Sequence, residues 1–296
     1  MSEQYRGVFP AVVTAFDAHG EIDPDAQMRL SRWLIDQGCR GLFVCGGTGE
    51  GVLLAEEERR TILEATMEAV GADATIIAHV GAVSPLETYR LAEHAARAGA
   101  HAVAAIPGAY FTPDADGLVQ HYRRLAEIAQ RPTLLYHIPS RTGVSLDLAT
   151  VARLAAIPHV AGLKFTDHNL LMLQCMRRQQ GDGFLIMSGS DELMVPAKLM
   201  GSTGTIGSWY NIIPGVFIAA FEYAERGDWA AAAERQGFAN DLICRHLGPQ
   251  LVALCKVALA EMGIDVGEPR MPLPRLDASA RAAFVAELRS GGYIEA

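Results

Sequence analysis

Eight short apolar runs, each followed by a stretch with helical spacing, constrain this chain more than any other feature. They cover residues 7–16, 41–45, 75–80, 102–106, 133–138, 161–165, 184–188 and 203–208. The runs are rich in β-branched residues and lack polar alternation, which is how strands buried on both faces read. Helix starts stand between them. Asp23 precedes Pro24 as an N-cap with proline at the first helical position, and Ser84 precedes Pro85 with Glu87 completing a capping box. Further helices are expected over 55–70, over 114–130 and from Asp147. Eight such units over about 210 residues fit a closed (β/α)8 barrel. An open doubly wound sheet would more often carry a glycine fingerprint after its first strand, where this chain reads DAHG at 17–20. Beyond residue 212 the pattern is helical only, over 216–226, 229–246, 251–262 and 278–289, with an extended GEPRMPLP at 267–274. The expected fold is α/β, a (β/α)8 TIM barrel over 1–225 with a C-terminal helical domain over 226–296.

Charge and cysteine usage close several alternatives. A net charge of −9 argues against a nucleic-acid binder. Five cysteines, at 39, 45, 175, 244 and 255, show no CxxC or metal-ligand spacing, as in reduced cytosolic proteins. The opening MSEQYR puts no apolar run behind a basic start, so no signal peptide is expected. No window reaches the roughly 18 apolar residues of a membrane span. The expectation is a cytoplasmic protein that meets a small molecule, with neither nucleic acid nor membrane as partner.

Against this background one lysine stands out. Only Lys164, Lys198 and Lys256 are lysines among 25 basic residues, and Lys164 sits inside an apolar run. Burying an ammonium is costly and drives its pKa down from about 10.4. A lysine neutral at working pH is a nucleophile for a ketone. The other reading is a lysine at the solvent end of its strand, paired with a carboxylate such as Asp167.

In a barrel of this kind chemistry sits at the carboxyl ends of the strands. The second run ends in GGTGE at 46–50, where the Gly47 and Thr48 amides and the Thr48 hydroxyl suit a carboxylate. The same loop also reads as a tight turn, with Glu50 starting the helix or bracing the loop. The fourth run leads into PGAYFTP at 107–113, whose Tyr110 reads, taken in isolation, as an aromatic covering an interface. The fifth ends in YHIPSRTG at 136–143, and alternation turns Tyr136 and Ile138 to one face and His137 to the other. Tyr136 then shares a face with Lys164, where a phenol can shuttle protons. His137 reads as a structural residue. GSDE at 189–192 and SWYN at 208–211 either bind substrate hydroxyls or cap helices. Together these residues suit a 2-oxo acid held by its carboxylate while its ketone condenses with lysine. A rival makes Lys164 a pyridoxal phosphate anchor, with GSTGTIGS at 201–208 as the phosphate cup.

GGTGE at 46–50, YHIPSRTG at 136–143 and GLKFT at 162–166, in this order and at these separations, resemble the dihydrodipicolinate synthase/N-acetylneuraminate lyase superfamily of class I pyruvate-dependent aldolases. The resemblance covers essentially the whole chain. It implies a homotetrameric lyase that forms a Schiff base with pyruvate and needs no metal or organic cofactor. Lys164 would be the imine-forming residue, Tyr136 the proton-transfer residue and Tyr110 the second tyrosine of the relay. Gly47 and Thr48 would hold the carboxylate, with Thr166, Gly189 and Ile206 adding substrate contacts. Asp191, Glu192 and Ser208 resemble the lyase pattern, in which such residues meet sugar hydroxyls. Arg141 matches the synthase, where an arginine grips a second carboxylate. Gly47 departs from both, since a serine or threonine normally stands there. Water or a substrate hydroxyl can fill that place, which admits a related aldolase or dehydratase for another sugar-derived 2-oxo acid. The expected activity is cleavage or condensation of a sialic-acid-like or other sugar-derived 2-oxo acid, with pyruvate as product or donor. The alternatives are 4-hydroxy-tetrahydrodipicolinate synthesis from pyruvate and aspartate semialdehyde, and a pyruvate-binding regulatory barrel, because fold does not fix function.

Overall fold

Each apolar run becomes a short strand and each capped amphipathic stretch a helix beside it. The computed structural model describes residues 3–295. In chain order it begins β1 (Val8–Pro10), α1 (Pro24–Asp36), β2 (Gly41–Val44), α2 (Glu56–Val70), β3 (Thr75–His79), α3 (Pro85–Arg97), β4 (Ala102–Ala105) and α4 (Ala115–Ala129). It continues with β5 (Thr133–His137), α5 (Pro139–Thr142), α6 (Leu148–Ala155), β6 (Val160–Phe165), α7 (Leu170–Gln180), β7 (Leu185–Ser188), α8 (Met194–Leu199) and β8 (Gly204–Gly207). The helices α9 (Pro214–Glu225), α10 (Trp229–Arg245), α11 (Leu251–Glu261) and α12 (Ala278–Ser290) complete it.

The eight strands pair in parallel, in the order β1-β8-β7-β6-β5-β4-β3-β2. A bridge between Ala11 and Phe43, with Val12 N donating to Phe43 O at 3.0 Å, brings the two ends together. The result is a nearly closed TIM barrel with a C-terminal helical part. Along each strand alternate side chains point inward, where Phe9, Phe43, Ile77, Leu134, Met187 and Ile206 fill the axis. The opposite faces meet the helices in a second, larger apolar layer.

One irregularity positions the chemistry. Between β5 and β6 the register steps from Thr133↔Val160 to Leu134↔Gly162, so Ala161 is bulged out. That extra residue puts Lys164, rather than Leu163, opposite Tyr136.

Three local expectations differ from the structure. The ladder of β1 stops at Pro10, although the apolar run continues to Phe16. Residues 11–16 are apolar because other elements bury them, Phe16 N donating to Val266 O at 3.1 Å. Asp23 caps α1 through Ala26 N, but the Ser84 side chain makes no cap. Thr88 Oγ1 takes over the local bonding, accepting from Ala82 N and donating to Ser84 O. Finally, α5 is a single turn with proline at its start that the apolar pattern does not announce.

Gly162 lies where β6 runs close beneath β7, and a Cβ there would stand 2.2 Å from Leu185 O. Gly162→Ala is expected to cost about 1–3 kcal/mol of stability through overpacking against backbone. Denaturant midpoints of variant and parent measure it, and an unchanged midpoint would show that the two strands can separate freely.

Candidate active site

Strand alternation sends Lys164 into the barrel, where it is 4% exposed. Its Nζ lies 4.3 Å from the Phe43 ring centroid and 4.4 Å from that of Tyr136, and it makes no ion pair or hydrogen bond with the described residues. The pairing with Asp167 does not form. Asp167 lies beyond the strand and bonds His137 Nε2 at 3.2 Å instead. His137 faces the helices, as alternation predicts, stacked on Phe165 and accepting from Leu146 N through Nδ1. Burial holds its imidazole below the ordinary value even with Asp167 alongside. It is a satisfied structural histidine. The Tyr136 hydroxyl, by contrast, has no hydrogen-bond partner among the described residues, although the side chain is buried.

The glycine loop forms one wall of the mouth. Packing accounts for Gly46, Gly49 and Gly51, whose Cβ atoms would strike the Phe43 ring, Val12 O and Cys45 O. A Cβ at Gly47 would meet nothing within 4 Å, so this position is left open rather than filled. The Gly47 and Thr48 amides donate to no described residue, and Thr48 Oγ1 lies 2.6 Å from Ser208 Oγ, just after β8. Glu50 braces the loop. It is buried, its backbone is left-handed at φ 58°, and its Oε2 accepts from Arg270 N at 2.7 Å.

Gly189 is needed for close approach. A Cβ there would lie 2.0 Å from Thr166 Oγ1 and 3.2 Å from Lys164 Cε. Thr166 Oγ1 is itself buried without a partner. Above these residues opens a cavity of about 430 Å³, with Arg141, Thr166, Gly189, Asp191, Glu192 and Ser208 in its wall. Arg141 stands exposed at its edge on α5, with no ion pair among the described residues. Glu192 holds His168 through Oε1 at 2.9 Å. Asp191 is turned to backbone, its Oδ2 accepting from Ser208 N at 2.8 Å and Trp209 N at 2.7 Å. Burial pushes its carboxyl up to about 7, against the pull of those amides and with Glu192 adding to the rise.

One expected site residue lies away from the barrel mouth. Tyr110 is 91% exposed on a loop between prolines, edge-on to Phe111, and does not reach Lys164 within its own chain. Ile206 lies in the barrel core with Tyr136, and neither of them, nor Lys164, Gly47 or Thr48, is part of the wall of the 430 Å³ cavity. The phosphate cup at 201–208 is not formed. Gly204–Gly207 is β8, and its neighbouring amides are spent on the ladder, Thr203 N on Ile186 O and Thr205 N on Gly7 O. Among the described residues no group of three or more His, Cys, Asp or Glu is placed to hold a metal ion.

Sequence reasoning passed over His79. It faces inward from β3, 5.7 Å from the Tyr136 ring, with Nδ1 donating to Cys45 O at 3.1 Å and Nε2 buried without a partner. Burial and then Arg59 push it down to about 3, so it is neutral. The alternation that placed Tyr136 inward would have placed His79 in phase with Ile77. Trp209, from the SWYN stretch, lies in the cavity wall, while Ile243 and His246, omitted from the expectation, reach it from a segment distant in sequence.

A profile described as the dihydrodipicolinate synthetase family matches residues 4–290. The 4-hydroxy-tetrahydrodipicolinate synthase of Syntrophus aciditrophicus is 34% identical over 293 residues, 98% of this chain and 99% of its own. The N-acetylneuraminate lyase of Clostridium perfringens is 33% identical over 270 residues, 90% of this chain and 93% of its own. Among solved structures, the wild-type sialic acid aldolase of Ruminococcus gnavus aligns with a TM-score of 0.93 at 27% identity, over 98% of this chain and 99% of that one.

The raised Asp191 carboxyl has a sign that can be checked. The folded chain holds this proton up to about pH 7 and the unfolded chain only to its ordinary 3.8, so this group makes stability fall as pH rises between them. Asp191→Asn removes the titration. Relative to the parent, the variant is expected to gain stability between pH 5 and pH 8 in chemical denaturation. An equal difference at both pH values would contradict the assignment.

Proposed function

Because the chain belongs to the dihydrodipicolinate synthetase family and is a lyase of that class, we propose that it joins pyruvate to Lys164 as an imine and cleaves, or in reverse condenses, a sugar-derived 2-oxo acid. The observation that carries the reading is the Lys164 amine, buried, without an ion pair among the described residues and in register with Tyr136. The amine attacks the C2 ketone and water leaves. The C3–C4 bond then breaks, its electron pair flowing into the imine to give an enamine, while the C4 hydroxyl proton leaves through Tyr136 and the aldehyde departs. Protonation at C3 and hydrolysis return pyruvate and the free amine.

The carboxylate of the 2-oxo acid is assigned to the Gly47 and Thr48 amides, with the Thr48–Ser208 hydroxyl pair beside it. The unfilled space at Gly47 takes a water or a substrate hydroxyl in place of the missing side chain. Thr166 Oγ1 and Glu192 are proposed to meet hydroxyls further along the substrate, while Asp191 shapes the Ser208 wall. Tyr110, exposed on its own chain, can join a mouth only across a subunit contact, in keeping with the proposed homotetramer. One observation favours a second reading. Arg141 at the cavity edge has no carboxylate partner among the described residues, which suits a dicarboxylic product such as that of 4-hydroxy-tetrahydrodipicolinate synthase.

Borohydride added with pyruvate is expected to leave a reduced adduct on the peptide carrying Lys164, and Lys164→Ala to abolish it with the fold retained. Tyr136→Phe should slow turnover by about 10²–10⁴-fold without preventing pyruvate capture. An unmodified Lys164 peptide would falsify the proposal. Condensation assays with N-acetylmannosamine and with aspartate semialdehyde separate the two substrate readings, Arg141→Ala impairing only the second.

A further inference from the structure

Helix α11 carries two consecutive buried side chains that reach two neighbouring walls of the mouth, the loops after β2 and β8. Lys256 Nζ lies 3.2 Å from Glu50 Oε1, with both side chains almost wholly buried, and donates to Glu268 O at 3.1 Å. Glu50 closes the 46–50 loop in a left-handed conformation that a side-chain-bearing residue holds only when its surroundings fix it. Its fixings are Lys256 on α11 and the backbone amide of Arg270. One residue earlier, Cys255 Sγ donates to Ser208 O at 3.6 Å on the other wall. The two walls meet at the Thr48–Ser208 hydroxyl pair, 2.6 Å apart.

We propose that Lys256 is a positioning residue for substrate capture, holding the Gly47 amide and Thr48 in place through Glu50, so that α11 is part of the 2-oxo acid site. The proposal rests on the imine chemistry above. Lys256 touches no substrate atom in this scheme. Glu50 faces it from the glycine loop, Glu268 and Arg270 from the segment after α11, and the Phe16 ring lies 4.2 Å from its nitrogen. Burial pushes this ammonium down from an ordinary 10.5 to about 8, the two glutamates opposing the fall and Arg270 adding to it. Once Lys256 is neutral, Glu50 is a buried carboxylate held by one amide, an arrangement that favours rearrangement of the loop.

The stability consequence has the opposite sign, which separates it from unfolding. Between about pH 8 and 10.5 the unfolded chain binds this proton more tightly than the folded one, so the group makes the fold more stable as pH rises. Loss of pyruvate capture in that window therefore does not arise from unfolding driven by Lys256.

The test reads the pyruvate concentration that half-saturates the borohydride-trapped Lys164 adduct, together with the maximal adduct, from pH 7 to pH 9. In the parent the half-saturating concentration is expected to rise about tenfold or more through pH 8, with the maximal adduct largely kept. In Lys256→Met it is raised already at pH 7 and climbs no further, and Glu50→Gln behaves alike should the first variant fail to fold. A half-saturating concentration at pH 7 that is unchanged in both Lys256→Met and Glu50→Gln, or a rise with pH unaltered in Lys256→Met, overturns the positioning role while leaving the imine chemistry standing. No adduct at Lys164 in the parent sinks the imine chemistry instead.

Discussion

A single amine can be kept inside a barrel without a counter-ion only where something takes the place of water around it. Here two ring faces do so, Phe43 from β2 and Tyr136 from β5, each within 4.4 Å of Lys164 Nζ. Much of the surrounding structure follows from that need. The bulge at Ala161 sets the strand register, Gly189 leaves room for the lysine stem, and Asp167 is drawn aside to His137. A carboxylate placed next to the nitrogen would stabilise it as a cation and blunt it as a nucleophile.

The parts of this arrangement that depend on local pattern were readable in the amino-acid order. Strand alternation put Tyr136 on one face of its strand and His137 on the other, and the runs of apolar residues marked all eight strands. The parts that depend on register or distant partners were not. Nothing around Ala161 announces a bulge, because pairing register is a property of two strands. Asp191 looked like a substrate ligand in a GSDE string, yet its Oδ2 is occupied by two amides from the turn after β8. Tyr110 and Ile206 carried the right residue types but face bulk solvent and the core. The run to Phe16 looked like continued strand because burial by the C-terminal segment leaves the same apolar mark as a sheet.

The substrate end of the mouth combines features that point in different chemical directions. Thr166 Oγ1, Glu192 and the Thr48–Ser208 pair offer neutral or anionic oxygen, suited to hydroxyls. Arg141 offers a planar cation on a one-turn helix at the rim, suited to a carboxylate. A ligand that satisfies both would be hydroxylated along its length and anionic at its far end. The open volume beside Gly47 then matters as much as any side chain, since it decides how much of that ligand lies flat against the glycine loop.

The brace on Glu50 has a bearing on how the molecule comes into being. Its carboxylate belongs to the first quarter of the chain, while the amide that receives it lies 220 residues later, at Arg270. During synthesis the eight strands can emerge and begin to associate well before that partner leaves the ribosome. Until it does, a left-handed residue carrying an unanswered charge stands at the rim, so the nascent barrel precedes its own binding competence. Contacts of such long reach slow the last step of folding, and any cut or stall upstream of α11 would yield a sheet without a finished pocket.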